Sequence, residues 1–387
     1  MNLLNMRTLS LHAIIAMALL ASCTHAPINV KLIDSDASQL MVVDEDEVNE
    51  SRTLLLSDIA EDFRIVRFDN RDEALFDAGG MPTFSENYIA AGRTPVKLFT
   101  RDGKYICDVG GVGNGPGEYY ISAYDVLIDE PADRIYVAGF GKAVNSYDLR
   151  GNFKGVVKLP RPLNKGKLFN NNDSTLSAIQ LCFRDHDDNL FVAATFPAST
   201  GENDTVRYAF APQLSTNFID EEGYAVGFNN EIFSFRCSDR PTFHTTFNDT
   251  LYCYNAEANR LDAIFTLNMD KERKGDGYFV YKELPNHILV YIVRGNNPGT
   301  ILIDKSEMKA WRIDKTVNDS FFNLKLGFNM HDGHVFGIYE PLELHDRLQK
   351  AIDRGEIADR YREDVDKLMA TLNENDNNIM ITARLRQ

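Results

Sequence analysis

Two phrases decide how this chain folds: Phe99-Thr100-Arg101-Asp102-Gly103-Lys104-Tyr105 and Tyr147-Asp148-Leu149-Arg150-Gly151-Asn152-Phe153. Each sets an aromatic residue, polar positions, a polar-glycine turn and a second aromatic residue between alternating apolar runs, and the two glycines lie 48 residues apart. Looser polar turns follow near Gly201, near Glu257 and near Glu307, so that successive intervals run about 48, 50, 56 and 50 residues. That period is close to the roughly 40–50 residues of a four-stranded propeller blade, and five turns predict five blades. Short runs rich in Val, Ile, Tyr and Phe, such as Arg134 to Ala138, Glu231 to Phe235 and His287 to Val293, supply the strands. A sixth blade can be assembled from Phe63 to Phe68 and Asn378 to Leu385, because pairing the two chain ends leaves no open sheet edge. The expected fold is therefore all-β, a six-bladed β-propeller over residues 53–387; the competing arrangement of many short strands is a pair of β-sandwich domains.

Near the end the pattern changes. Leu344, Leu348 and Ile352, then Tyr361, Val365, Leu368 and Leu372, follow helical spacing on either side of Gly355. This predicts a helical insertion over about 340–375, before the closing strand, packed against the ring; the alternative is a helix that docks another envelope protein.

At the other end, Arg7 precedes an apolar run from Leu9 to Leu20, too short to span a bilayer, followed by Leu20-Ala21-Ser22-Cys23. This resembles the bacterial lipobox, which implies a signal peptide over 1–22 and a lipid on the Cys23 thiol; an ordinary secretory signal is the alternative. Residues 23–52 are polar and include Asp44-Glu45-Asp46-Glu47, and read as a tether, parts of which could form a first strand. The formal charge of −16, with 57 acidic against 41 basic residues, argues against nucleic acid and against anionic headgroups as partners. The membrane partner is then the lipid on Cys23 alone. Cys107, Cys182, Cys237 and Cys253 lie in apolar or alternating runs and read as buried thiols, with Cys237–Cys253 the one candidate bridge.

Gly110 to Tyr120 is the most distinctive loop. Its glycines suit a tight turn or an anion cradle, but the dinucleotide and Walker spacings fail, and Pro116 removes a backbone donor. Gly113, Gly115, Pro116 and Gly117 are assigned as a structural inter-blade loop, and Glu118, Tyr119 and Tyr120 as candidate ligand-binding residues, since aromatic faces beside a carboxylate suit a sugar. Pinning of the loop against the next blade is the alternative role for those three. His331-Asp332-Gly333-His334 reads as a hairpin turn before a metal site, and Asp185 to Asn189 as a solvated turn before a calcium loop. No catalytic motif appears, and no catalytic residue, metal ligand or cofactor is assigned.

The turn phrase at Phe99 to Tyr105, the loop Gly113-Asn114-Gly115-Pro116-Gly117-Glu118-Tyr119, the strand Asn248-Asp249-Thr250-Leu251-Tyr252 and the run Asn377 to Ile381 together resemble the six-bladed β-propeller lipoproteins of Bacteroides-type bacteria, a group distantly similar to NHL-repeat propellers. The resemblance implies a cell-envelope location, at an outer-membrane, periplasmic or surface face left open. The expected function is a lipid-anchored binding protein whose loop face recognises a glycan, a peptide or an envelope protein. The alternative is a metal-dependent lactonase-like or lyase-like enzyme, as some six-bladed propellers are.

Overall fold

The computed structural model describes residues 29–34, 38–120, 122–186, 190–202, 205–324 and 328–387. The signal segment and Cys23 lie outside the described residues. The chain forms six blades around a channel, each with four strands ordered from the channel outward. Blade 1 contains Thr83–Phe84, Tyr88–Ala91, Val96–Thr100 and Tyr105–Val109; blade 2 contains Asp125–Asp129, Arg134–Ala138, Gly141–Tyr147 and Phe153–Leu163. Blades 3, 4 and 5 begin with innermost strands Lys167–Asn170, Ile232–Phe233 and Tyr278–Glu283. In blade 6 the order is Asn329–His331, His334–Tyr339, Ile379–Leu385 and then Ala60–Arg67, so the outermost strand comes from the beginning of the chain. Ile379–Leu385 pairs antiparallel with Ala60–Arg67, with Met380 opposite Val66 and Ile381 opposite Ile65.

All five sequence turns fall at one place in the architecture, between the third and fourth strands of blades 1 to 5. The glycine in the two clear phrases serves a specific contact. A Cβ on Gly103, where φ is +86°, would lie 2.2 Å from the carbonyl oxygen of Arg67, and one on Gly151, where φ is +80°, would lie 2.5 Å from that of Asp108. Each turn thus presses onto the outermost strand of the preceding blade, and both the left-handed backbone and the missing side chain are required there.

Apolar packing is divided among the blade interfaces. Val137 and Ile135 meet Leu98 and Val109 between blades 1 and 2, and Leu159 meets Leu168 and Leu176 between blades 2 and 3. Ile179 and Phe243 lie between blades 3 and 4, Phe265 and Phe279 between 4 and 5, Leu289 and Val335 between 5 and 6, and Val66, Phe336 and Phe99 between 6 and 1. A sheet covered on both faces needs no alternation, and the middle strand Phe191–Pro197 is accordingly buried along almost its whole length. This continuous cycle of six interfaces is a ring and excludes two sandwich cores.

The segment expected as a tether is largely structured where it is described. Gln39–Asp44 adds parallel to Arg260–Asn268 of blade 4, Lys31–Asp34 pairs with it in turn, and Ser51–Leu55 adds parallel to Lys309–Val317 of blade 5. The acidic run that suggested a solvated linker is the reason. Glu45 is buried and receives Arg312, Arg273 Nη1 at 2.9 Å and Asn297 Nδ2 at 3.1 Å, so its charge anchors the segment to the ring.

Helices Pro341–Asp353 and Asp359–Met369 stand between the second and third strands of blade 6. Leu344, Leu348, Val365 and Leu368 turn inward onto Tyr339, Ile379 and Ile381. Both helices are short of a bilayer, and no helix among the described residues is long and apolar enough to cross a membrane. Cys107, Cys182, Cys237 and Cys253 are free thiols, so the Cys237–Cys253 bridge does not form. Both residues of that pair are buried, and burial pushes the Cys253 thiol up to about 11 and the Cys237 thiol up to about 12.

Candidate functional site

The innermost strands bring together residues far apart in sequence, and the centre of the assembly is Arg236. It follows the first strand of blade 4, and its guanidinium lies across the channel. Its Nη1 donates to Asp125 Oδ2 at 2.7 Å and to the Leu168 carbonyl at 3.1 Å; Nη2 donates to the Val126 carbonyl at 2.9 Å and to His331 Nε2 at 2.9 Å; Nε donates to Asp332. One side chain from blade 4 thereby ties blades 2, 3 and 6, with two carboxylates neutralising it. Asp125 also accepts from the Leu168 amide at 2.7 Å. With its donors committed, the guanidinium forms a floor to the channel.

Above that floor lies a cavity of about 260 Å³, open on the face where each outermost strand crosses to the next innermost one. Arg93, Tyr124, Lys167, Glu231, Phe233 and Phe235 line it. Glu231 accepts from Lys165 Nζ at 2.8 Å and from the Tyr124 hydroxyl. Lys167 Nζ sits 4.4 Å from the centroid of the Tyr124 ring, within cation–π range. Behind the wall, Lys282 is buried with Nζ 4.8 Å from the Phe235 ring and 5.3 Å from that of Tyr291. Burial lowers the pKa of both lysines. At the mouth, Phe140 stands edge-to-face with Tyr124, centroids 5.4 Å apart, and with Phe228 at 5.8 Å; both phenylalanines are exposed.

The pair His331 and His334 flanks the first hairpin of blade 6, as the turn reading expects, with Asp332 and Gly333 both at positive φ. The strand before it is Asn329–His331, later than the run Leu324 to Phe328 suggests. Each imidazole serves an arginine. His331 Nε2 faces Arg236, while His334 Nε2 lies 2.9 Å from Arg101 Nη2 and its Nδ1 2.7 Å from the Asp332 carbonyl. A Nδ1–H tautomer of His334 satisfies both contacts. No group of three or more metal-ligating side chains occurs among the described residues. In the expected calcium-like turn, Asp185 accepts from the Phe218 and Ile219 amides, while residues 187–189 lie outside the described residues.

The glycine loop lies one connection upstream of the cavity. Tyr119 is buried and its hydroxyl accepts from the Val96 amide at 2.8 Å; Glu118 Oε2 accepts from the Gly115 amide at 2.7 Å. A Cβ on Gly113 would lie 2.0 Å from Glu118 Oε2, and Gly117, at φ +78°, packs against Phe153 of blade 2. Pro116 lies at the tip of this turn, next to Gly117, whose carbonyl accepts from the Tyr147 hydroxyl at 3.0 Å. These contacts hold the loop in place; of the three candidate residues Tyr119 is buried, while Glu118 and Tyr120 are exposed. The loop delivers Tyr124 and Asp125 to the channel, and neither they nor Lys167, Glu231 and Arg236 belong to any sequence motif. One signal was available: Arg236 interrupts an apolar run between Phe235 and Cys237, a position where a charge persists only with buried partners.

Fold and site together define a six-bladed propeller with a floored, cation-rich channel. Residues 40–384 match the family described as Domain of unknown function (DUF4934), and the chain belongs to that family. Among solved structures, it is similar to a protein described as exported from Bacteroides fragilis NCTC 9343, at 14% identity and a TM-score of 0.57, covering 87% of this chain and 98% of that one. A member of the DUF4221 family from Bacteroides vulgatus ATCC 8482 is similar at 11% identity and a TM-score of 0.46, covering 93% and 99%. No curated protein matches the chain.

Proposed function

We propose that this propeller is an exported binding protein of the cell envelope, held to the membrane by lipid on Cys23, and that the loop face around the channel receives a glycan, a peptide or a partner protein. The observation that carries the reading is the open cavity, with exposed Phe140 edge-to-face on its lining residue Tyr124 and exposed Phe228 on Phe140, above an Arg236 guanidinium already committed to Asp125 and Asp332. Rigid rings suit recognition because loops from every blade converge on one mouth while the strands hold them in place. Export is supported by the signal-like residues 1–22 and by the fold shared with the exported Bacteroides fragilis protein.

The test is a thermal-unfolding screen of purified protein against soluble oligosaccharides and peptides. A ligand present at 100 times its Kd should add about 2.7 kcal/mol of stability. The gain should shrink in a Phe140→Ala, Phe228→Ala double variant that retains its own melting transition. Metal-dependent hydrolysis of a lactone or polysaccharide, lost on chelation, is the result that would replace this reading with an enzymatic one.

A further inference from the structure

We infer that the channel cavity takes a small organic acid, a single six-membered ring bearing a carboxylate, with the carboxylate on Lys167 Nζ and the ring against Tyr124 and the aromatic rim. The inference rests on the reading of the cavity as a binding site and adds the class of its occupant.

The argument begins with charge. The whole chain is acidic, at −16, yet its centre is not. Arg93, Lys165, Lys167, Arg236 and Lys282 gather around Asp125, Glu231 and Asp332. Those carboxylates are spoken for: Asp125 and Asp332 by Arg236, Glu231 by Lys165 and the Tyr124 hydroxyl. Lys167 has an aromatic face under it but no hydrogen-bond acceptor or ion-pair partner among the described residues, and the exposed Arg93 at the mouth forms no ion pair among them either.

An ammonium brings three donors, and withdrawing it from water without an acceptor is unfavourable. Desolvation already depresses the pKa of Lys167 despite the nearby charges of Asp125 and Glu231. A carboxylate arriving from the open side would supply the acceptor and favour the charged form, with Arg93 adding attraction at the entrance. Size sets the rest. A volume of about 260 Å³ lies below the roughly 300–1,000 Å³ of sites that enclose drug-sized molecules, which restricts the buried part of the ligand to one ring. Tyr124 and Phe140 offer that ring an apolar face beside the cation. A hexuronic acid and an aryl carboxylate share this chemistry.

Calorimetric titration of the purified protein with galacturonate, galactose, benzoate and inorganic phosphate separates the possibilities. Galacturonate, benzoate or both should bind, with galactose and phosphate at least tenfold weaker; which acid binds tells a sugar source from an aromatic one. Lys167→Gln should weaken the acid by about tenfold or more, the factor expected for one charge-assisted hydrogen bond, and Lys167→Arg should weaken it less. Arg93→Gln, at an exposed position, should weaken it several-fold and flatten its salt dependence, and keeps the test intact if the Lys167 variants fold poorly. Equal binding of galactose and galacturonate, unchanged by Lys167→Gln, would overturn the inference while leaving a binding cavity in place. Failure of both acids to bind, or tightest binding by phosphate, would overturn it as well.

Discussion

At the scale of single residues, Arg236 is the position on which the channel depends. Burying a guanidinium is costly, and the cost is met here by two carboxylates, two backbone carbonyls and an imidazole contributed by three other blades. Arg236→Met should therefore destabilise the protein by about 3–5 kcal/mol, because Asp125 and Asp332, whose side chains are 6% and 10% exposed, would be left as buried unpaired charges. Adding Asp125→Asn and Asp332→Asn should recover part of the loss. Denaturant midpoints of the three proteins decide the matter, and a near-neutral Arg236→Met would mean that water already reaches those carboxylates. Gly103 and Gly151 illustrate a different dependence, in which a missing side chain lets one blade seat on another.

At the scale of elements, the helical insertion is packing material for blade 6. Its inward row Leu344, Leu348, Val365 and Leu368 covers Ile379 and Ile381 of the strand that closes the ring. Leu348 is fully buried, and Leu348→Ala should cost about 2–5 kcal/mol of stability by chemical denaturation. Limited proteolysis of that variant should cut first between residues 341 and 369. Cleavage elsewhere in the ring would show that the helices are not what the substitution loosens. Helical spacing in the sequence was sufficient to find both helices, since an amphipathic row needs only one covered face. The sequence also places them before the closing strand, but which strands flank that one in the sheet, His334–Tyr339 and Ala60–Arg67, is a long-range property that spacing does not give. The polar segment before residue 52 reads as a tether for a related cause: buried Glu45 looks like any acidic residue until Arg312 of blade 5, and Arg273 from the helical turn between blades 4 and 5, are brought to it.

At the scale of the whole molecule, four histidines are tuned by burial in the ring. Burial lowers His244 to about 3 and His334 to about 4, and also lowers His287; His331 is held well below the usual imidazole value by burial and by the Arg236 charge. Each would take its proton near 6.5 in the unfolded chain but resists it when folded. Stability is then full above pH 6.5 and falls as the pH drops toward the folded values. For His244 and His331, the most buried, the loss should be about 1.4 kcal/mol per pH unit each, and the melting temperature should fall between pH 7 and pH 5. A flat profile over that range would show that these imidazoles do not stay neutral in the ring.

The sequence by itself determined the repeat, the blade number and the way the ends close the ring, because turns and alternating strands obey local rules that recur in every blade. It also exposed the glycine loop, whose conformation glycine and proline set locally. Only the tertiary structure decided the channel. Asp125, Lys167 and the pair Glu231 and Arg236 stand on or beside the innermost strands of three different blades, and no spacing along the chain encodes their meeting. Their chemistry arises where strands from separate blades converge, at the one place in a propeller where every neighbour in space is distant in sequence.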